Sequence, residues 1–202
     1  LKYKNINLSV CKRENTNTTT HKFKKDLIDI FENAKYKENY TALEVSCYKG
    51  HTTSVLSRLF NKVYAVDVNS RHLGDAKKLL SDRTNVELIN LDVYSNNKWE
   101  PLPKVNVIFI DCAHDKTAVL SDLYQAIEHF STSKGMIILD DYGLYAGVRE
   151  AVALFLEDLG DQTSIHSFIG EPKGSTARKG KIMADYEGVV LNFDSTNNVK
   201  LI

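Results

Sequence analysis

Two stretches carry the residues best suited to chemistry. Residues 105–110 (Val-Asn-Val-Ile-Phe-Ile) run into Asp111, Cys112, Ala113 and His114, and residues 135–139 (Gly-Met-Ile-Ile-Leu) run into Asp140, Asp141 and Tyr142. Each is a short apolar run closed by aspartate, which reads as a strand buried on both faces. In an open α/β sheet the carboxyl ends of parallel strands face the ligand crevice. Asp111, Asp140 and Asp141 are therefore expected to crowd one end of the sheet. Like charges placed together raise one another's pKa, so the group needs a cation, a proton or a basic partner.

The rest of the chain supplies the elements that would hold these tips. A helical pattern starts at Thr20, with Phe23, Leu27, Ile30 and Phe31 on one face and Lys and Asp on the other, and fades near Tyr36. Strands are expected over 41–45, 63–66 and 86–91, ending near Glu44, Asp67 and Asp92. The helix after the first carries Val55, Leu56, Leu59 and Phe60, with Thr52 or Thr53 as its cap, and Ser70 is the expected cap of the next. Residues 93–104 contain Pro101 and Pro103 and read as irregular. Helices follow with Val119, Leu120, Leu123, Ala126, Ile127 and Phe130, then with Val148, Ala151, Val152, Phe155, Leu156 and Leu159. The tail reads as strands over 163–169 and 187–193.

Strands alternating with helices predict an α/β fold, a doubly wound and mostly parallel seven-stranded sheet of Rossmann-like type, with a terminal antiparallel hairpin. One domain spans 1–202: an N-terminal arm and helix (1–40) with a short strand near 5–10, a core (41–160) and C-terminal strands (161–202). Lys+Arg and Asp+Glu balance at 26 each, so no bulk field favours nucleic acid or an anionic membrane. No stretch is long enough for a membrane span, the start lacks the apolar core of a signal peptide, and three cysteines are too few for a disulfide framework. These features point to a cytoplasmic protein.

The first strand-loop-helix unit, where such folds hold nucleotide-like ligands, has the loop Glu44-Val45-Ser46-Cys47-Tyr48-Lys49-Gly50. Its one glycine does not suit a dinucleotide, and no G-x-x-x-x-G-K-[ST] loop is present for ATP. Asp67 stands where a carboxylate can accept from ribose hydroxyls, and Asp92 beside the place of an adenine.

This set resembles the class I S-adenosylmethionine-dependent methyltransferases. Glu44 and Gly50 match the ends of that family's first motif, Asp67 its ribose-binding acid and Asp92 its adenine-side acid. Downstream, Asp111-Cys112-Ala113-His114, Val119 and Asp122, then Gly135 to Tyr142 and Gly147-Val148-Arg149-Glu150-Ala151-Val152, is similar to small metal-dependent O-methyltransferases of the macrocin-type sugar and catechol-type branch. The resemblance covers about residues 41–160. It implies S-adenosylmethionine at Glu44, Ser46, Gly50, Asp67, Asp92 and Asp111, a small-molecule hydroxyl acceptor (sugar-like, polyol or phenolic), and self-association. The family usually has glycine where Ser46 stands; serine fits there if its φ is negative, and its hydroxyl could then bind the cofactor carboxylate.

The same resemblance implies a divalent cation on Asp111, Asp140 and Asp141. Three hard oxygen donors suit Mg²⁺, Mn²⁺ or Ca²⁺, not zinc. Successive strand residues point to opposite faces, so Asp140 and Asp141 converge only if the chain bends at the tip; otherwise one caps the next helix or pairs with Arg149. His114 occupies the position of a lysine in the catechol-type relatives and is the expected general base, acting with Asp111; the plainer alternative is a histidine that binds backbone. Cys47 and Cys112 follow adjacent strands and read as small semi-buried residues rather than a redox pair. Tyr142 and Tyr145 could wall an acceptor pocket, His51 could line the cofactor loop, and the basic 173–181 loop could meet an anionic acceptor. Two rivals are a metal-independent methyltransferase and a vestigial cofactor-binding module serving as an interaction surface, the latter motivated by Ser46. A dehydrogenase is disfavoured by the glycine count.

Overall fold

The computed structural model describes residues 18–32, 39–95, 99–171 and 186–197. The expected strand near 5–10, the fading of the first helix near Tyr36 and the 173–181 loop lie outside them. Seven strands form one sheet in the order β3-β2-β1-β4-β5-β7-β6. They are β1 (Thr41–Val45), β2 (Lys62–Asp67), β3 (Val86–Asn90), β4 (Val107–Ile110), β5 (Lys134–Leu139), β6 (Thr163–Ile169) and β7 (Gly188–Asp194). The first five run parallel; β7 pairs antiparallel with both β5 and β6. The helices are α1 (His21–Glu32), α2 (His51–Leu59), α3 (Ser70–Leu79), α4 (Lys116–Glu128) and α5 (Ala146–Leu159). The mostly parallel architecture and terminal hairpin are as expected. The hairpin does more than edge the sheet, because β7 is inserted between β5 and β6.

Residue alternation splits the core into two layers. Leu43, Val45, Ile108, Ile110, Ile137 and Leu139 pack with α4 and α5 on one face. Ala42, Val63, Val107, Phe109 and Ile138 pack with α1 and α2 on the other. Burying both faces is what turns β1, β4 and β5 into near-continuous apolar runs.

Several local expectations are corrected. The α1 core face adds Ile28 to Phe23, Leu27 and Phe31, with Ile30 half-buried against the same cluster, and Lys24, expected in solvent, is fully buried. Its ammonium donates to Thr19 O at 2.6 Å and Thr18 Oγ1 at 3.2 Å, which makes the burial tolerable. Neither Thr52 nor Thr53 caps α2: the helix starts at His51, and its N-cap is Gly50 at φ +81°. Ser70 is likewise the first residue of α3, whose cap is Asn69 accepting from Arg71 N. Strand β4 begins at Val107, not 105; Val105 makes an isolated parallel bridge to Phe130. The expected irregular link seats Trp99 at full burial, where His129 lies 2.9 Å from its carbonyl oxygen.

Candidate active site

The order of the sheet reverses between β1 and β4, since β2 and β3 continue one way and β5 the other. Ligands of such sheets bind beyond the carboxyl ends of the strands at this switch. Two cavities open there. One, of about 10 Å³, is lined by Thr18, Glu44, Ser46, His51, Thr52 and Asp111, among others. The second, of about 150 Å³, is lined by Ser46, Asp67, Leu91, Asp92, Tyr94 and Cys112, among others. Ser46 lies on the wall between them.

The loop after β1 is held in a left-handed course. Ser46 has φ +70°, Tyr48 φ +50° and Gly50 φ +81°. The expectation of a negative φ at Ser46 is therefore corrected. Three bonds impose the course: Cys47 N donates to Val66 O at 2.8 Å, Tyr48 N to Asp67 Oδ2 at 2.9 Å and Gly50 N to Cys47 O at 2.9 Å. An L-residue in this region costs about 1–2 kcal/mol, and glycine does not. Part of that gain is returned as unfolded-chain entropy. Ser46→Gly is expected to raise the melting temperature by about 1–4 °C and, by joining the two cavities, to tighten S-adenosylhomocysteine binding severalfold. Thermal melts and calorimetry test this; a tenfold weaker affinity would instead make the serine hydroxyl a ligand.

Glu44 sits at the base of the smaller cavity, 1 % exposed, and its Oε2 is buried without a hydrogen-bond partner. Burial pushes its carboxyl up to about 8, against the pull of Thr53 and Lys24. The folded state thus binds this proton more tightly than the unfolded state. Stability tied to Glu44 is present below pH 4.5 and is lost as pH rises from there to about 8. Glu44→Gln removes that slope. The variant is expected to melt at least ~4 °C above the parent at pH 8 and alongside it at pH 4.5. Equal melting temperatures at both pH values would refute this.

Asp67 is buried, and both its oxygens already accept backbone N–H groups, from Tyr48 at 2.9 Å and Asn69 at 2.7 Å. His72 Nδ1 lies 3.3 Å from Oδ1. Each oxygen keeps acceptor capacity for a further donor. Asp92 is exposed, and its Oδ1 accepts from Tyr94 N at 3.0 Å. Tyr94 was not singled out from the sequence. It walls the larger cavity, donates to Asp122 Oδ2 at 2.7 Å and accepts from Ala113 N at 3.1 Å, tying the loop after β4 to α4. Asp122, an acid buried on an otherwise apolar helix face, was the available signal. Cys47 and Cys112 are free thiols, both pushed up by burial, which disfavours thiolate chemistry.

At the tips of β4 and β5 the structure groups Asp111, His114 and Asp141, with one ligand atom from each within 4.8 Å of the others. The expected bend is present: Asp141 has φ +62°. It brings Asp141, but not Asp140, into the group, so the expected set of Asp111, Asp140 and Asp141 is not the one assembled. Asp140 is buried beside it, 3 % exposed. His114 Nε2 lies 2.7 Å from Asp141 Oδ2, without hydrogen-bond alignment. The ring stacks on Tyr145 at 4.1 Å and 8°. Tyr142 instead packs against Phe168 at 5.5 Å. The backbone behind His114 is pressed by α5: a Cβ on Gly147 would come within 2.4 Å of His114 O and 2.8 Å of Lys116 N.

A family model described as a methyltransferase domain matches residues 43–142. By that match its enzyme class is that of the S-adenosylmethionine-dependent methyltransferases. Solved structures share the fold at low identity. A putative methyltransferase from Streptococcus mutans in complex with SAH is 18 % identical, with 87 % of this chain and 99 % of that chain covered at a TM-score of 0.61. An O-methyltransferase from Bacillus cereus in complex with SAH is also 18 % identical, with 88 % and 83 % covered at 0.60. Precorrin-6y C5,15-methyltransferase from Geobacter metallireducens is 14 % identical, with 91 % and 97 % covered at 0.62. Comparison with curated proteins returns no match. Among the described residues no helix is long and apolar enough to cross a membrane.

Proposed function

We propose that the protein is an O-methyltransferase that moves the methyl group of S-adenosylmethionine to a hydroxyl of a small sugar-like, polyol or phenolic acceptor. The observation that carries this reading is the convergence of Asp111, His114 and Asp141 within 4.8 Å, beside the cleft walled by Glu44, Ser46 and Asp67. Two carboxylates with an imidazole at their edge fit a divalent cation, Mg²⁺ or Mn²⁺. Such a cation would position the acceptor hydroxyl and ease loss of its proton.

Asp111 and Asp141 hold the cation in this reading. Tyr145 fixes the plane of the His114 ring, and His114 takes the proton of the acceptor O–H. The oxygen then attacks the methyl carbon, the carbon–sulfur bond breaks, and S-adenosylhomocysteine leaves as a neutral thioether. Asp67 accepts from the ribose hydroxyls, and Tyr94 and Asp92 flank the base.

A second reading makes His114 a third donor to the cation. The 2.7 Å approach of its Nε2 to Asp141 without hydrogen-bond alignment favours it. One set of measurements tests both. Methyl transfer from labelled S-adenosylmethionine to catechol and to simple glycosides, as model acceptors, is expected to stop in EDTA and return with Mg²⁺ or Mn²⁺. Turnover untouched by EDTA would remove the cation from the mechanism. His114→Gln should leave Mn²⁺ affinity unchanged if the ring is the base, and lower it if the ring is a donor.

A further inference from the structure

Two buried carboxylates take no part in the proposed chemistry. Glu187 serves the fold: Thr20 donates its N–H to both of its oxygens, at 3.0 and 3.2 Å, which pins the start of α1. Asp122 is different. It lies 2 % exposed on the apolar face of α4, and its Oδ2 accepts from the Tyr94 hydroxyl at 2.7 Å. The same Tyr94 oxygen accepts from Ala113 N at 3.1 Å. Ala113 stands in the turn between Asp111 and His114, the two residues that β4 delivers to the site. Other bonds hold the ends of this turn. Asp111 N donates to Val45 O at 3.2 Å, and Asp115 caps α4 by accepting from Ala118 N at 3.0 Å. Beyond the strand ladder the Ala113 N–H needs an acceptor, and Tyr94 reaches in from the loop after β3 to supply it.

Resting on the methyl-transfer reading above, we propose that the Tyr94–Asp122 pair is a positioning device that fixes the turn carrying Asp111 and His114. The direction of the bonds supports it. An amide N–H only donates, so the Tyr94 oxygen must accept from Ala113 and send its own proton elsewhere. A carboxylate only accepts, so Asp122 sets where that proton points. A hydrogen bond to a charged acceptor belongs to the stronger kind. The acid thus aims the tyrosine, and the tyrosine holds the turn. In that position Asp111 and His114 each keep one ligand atom within 4.8 Å of Asp141. Asp122 lines neither cavity of the cleft, so it acts on the site through Tyr94. Burying a charge is costly, and holding reacting groups in place is a return of the right size, since a misplacement of about 1 Å can lower a rate about 100-fold.

The test uses the full chain. In Tyr94→Phe, amide hydrogen exchange over residues 112–115 is expected to rise about 10-fold or more, while β4 and the body of α4 stay as protected as in the parent. With the model acceptors and Mg²⁺, Asp122→Leu should lower kcat about 10-fold or more and leave S-adenosylhomocysteine affinity within about threefold of the parent. The double variant Tyr94→Phe/Asp122→Leu removes both ends of the phenol–carboxylate bond. It should melt above Tyr94→Phe, whose buried carboxylate has lost this donor, yet keep the low kcat. Unchanged exchange in Tyr94→Phe, or a kcat that recovers with the melting temperature in the double variant, would overturn the proposal. Tyr94→Phe alone carries the test if Asp122→Leu does not fold. A parent that binds no S-adenosylhomocysteine would instead sink the methyl-transfer reading, and the exchange measurement would still decide whether the pair holds the turn.

Discussion

Asp141→Asn is expected to weaken Mn²⁺ binding by about 100-fold or more while leaving the melting temperature within a few degrees of the parent. Asparagine is the apt replacement, because position 141 has φ +62° and asparagine tolerates the left-handed region. Its amide keeps the shape of the carboxylate and removes one charge from the buried Asp140-Asp141 pair. Relief of that crowding offsets the lost contact with His114. A stable but cation-blind variant is thus the expected outcome, as befits a site that trades stability for function. Electron paramagnetic resonance of Mn²⁺ and thermal melts check the two halves separately. Retained Mn²⁺ affinity would remove Asp141 from the cation site.

Gly147→Ala is expected to cost about 2–3 kcal/mol, a fall of about 4–12 °C in melting temperature. The added Cβ meets backbone, His114 O at 2.4 Å and Lys116 N at 2.8 Å, so no side-chain rotation relieves the clash. Either α5 retreats from the sheet or the 114–116 segment is pushed toward the cleft. The second response carries His114 off Tyr145 and away from Asp141, so methyl transfer should fall with stability. Nearby, Arg149→Ala on the same helix provides a comparison in which no backbone clash is introduced. Unchanged melting of Gly147→Ala would show that α5 accommodates the methyl group freely.

Much of the fold was legible because burial on both faces writes long apolar runs. The 41–45 and 163–169 strands were found with their ends in place, and the runs at β4 and β5 pointed their aspartates at one end of the sheet. The mostly parallel sheet also follows from alternation of strand and helix. What was not legible depended on backbone conformation set from a distance. Ser46 is turned to a positive φ by bonds from its neighbours to Val66 and Asp67, which lie on another strand. The choice of Asp141 over Asp140 is a matter of one bend. Lys24 was read by residue type as a solvent-facing charge, whereas Thr18 and Thr19 supply oxygens to its buried ammonium. The link at 93–104 looked irregular, yet its described residues bury Trp99 and deliver Tyr94 to the cleft, neither of which periodicity can reveal.

The contact between Thr20 and Glu187 has a consequence for the order in which the molecule can be made. The two residues are 167 positions apart, and Glu187 immediately precedes the strand that fills the gap between β5 and β6. A nascent chain emerging from the ribosome can pair β1 through β5 early, but the bond that pins the start of α1 must wait for residue 187 to appear. Until then one side of β5 is an open edge, and the turn into α1 has no anchor. The order of the sheet thus makes the seating of α1 wait for the strand that also closes the edge of β5.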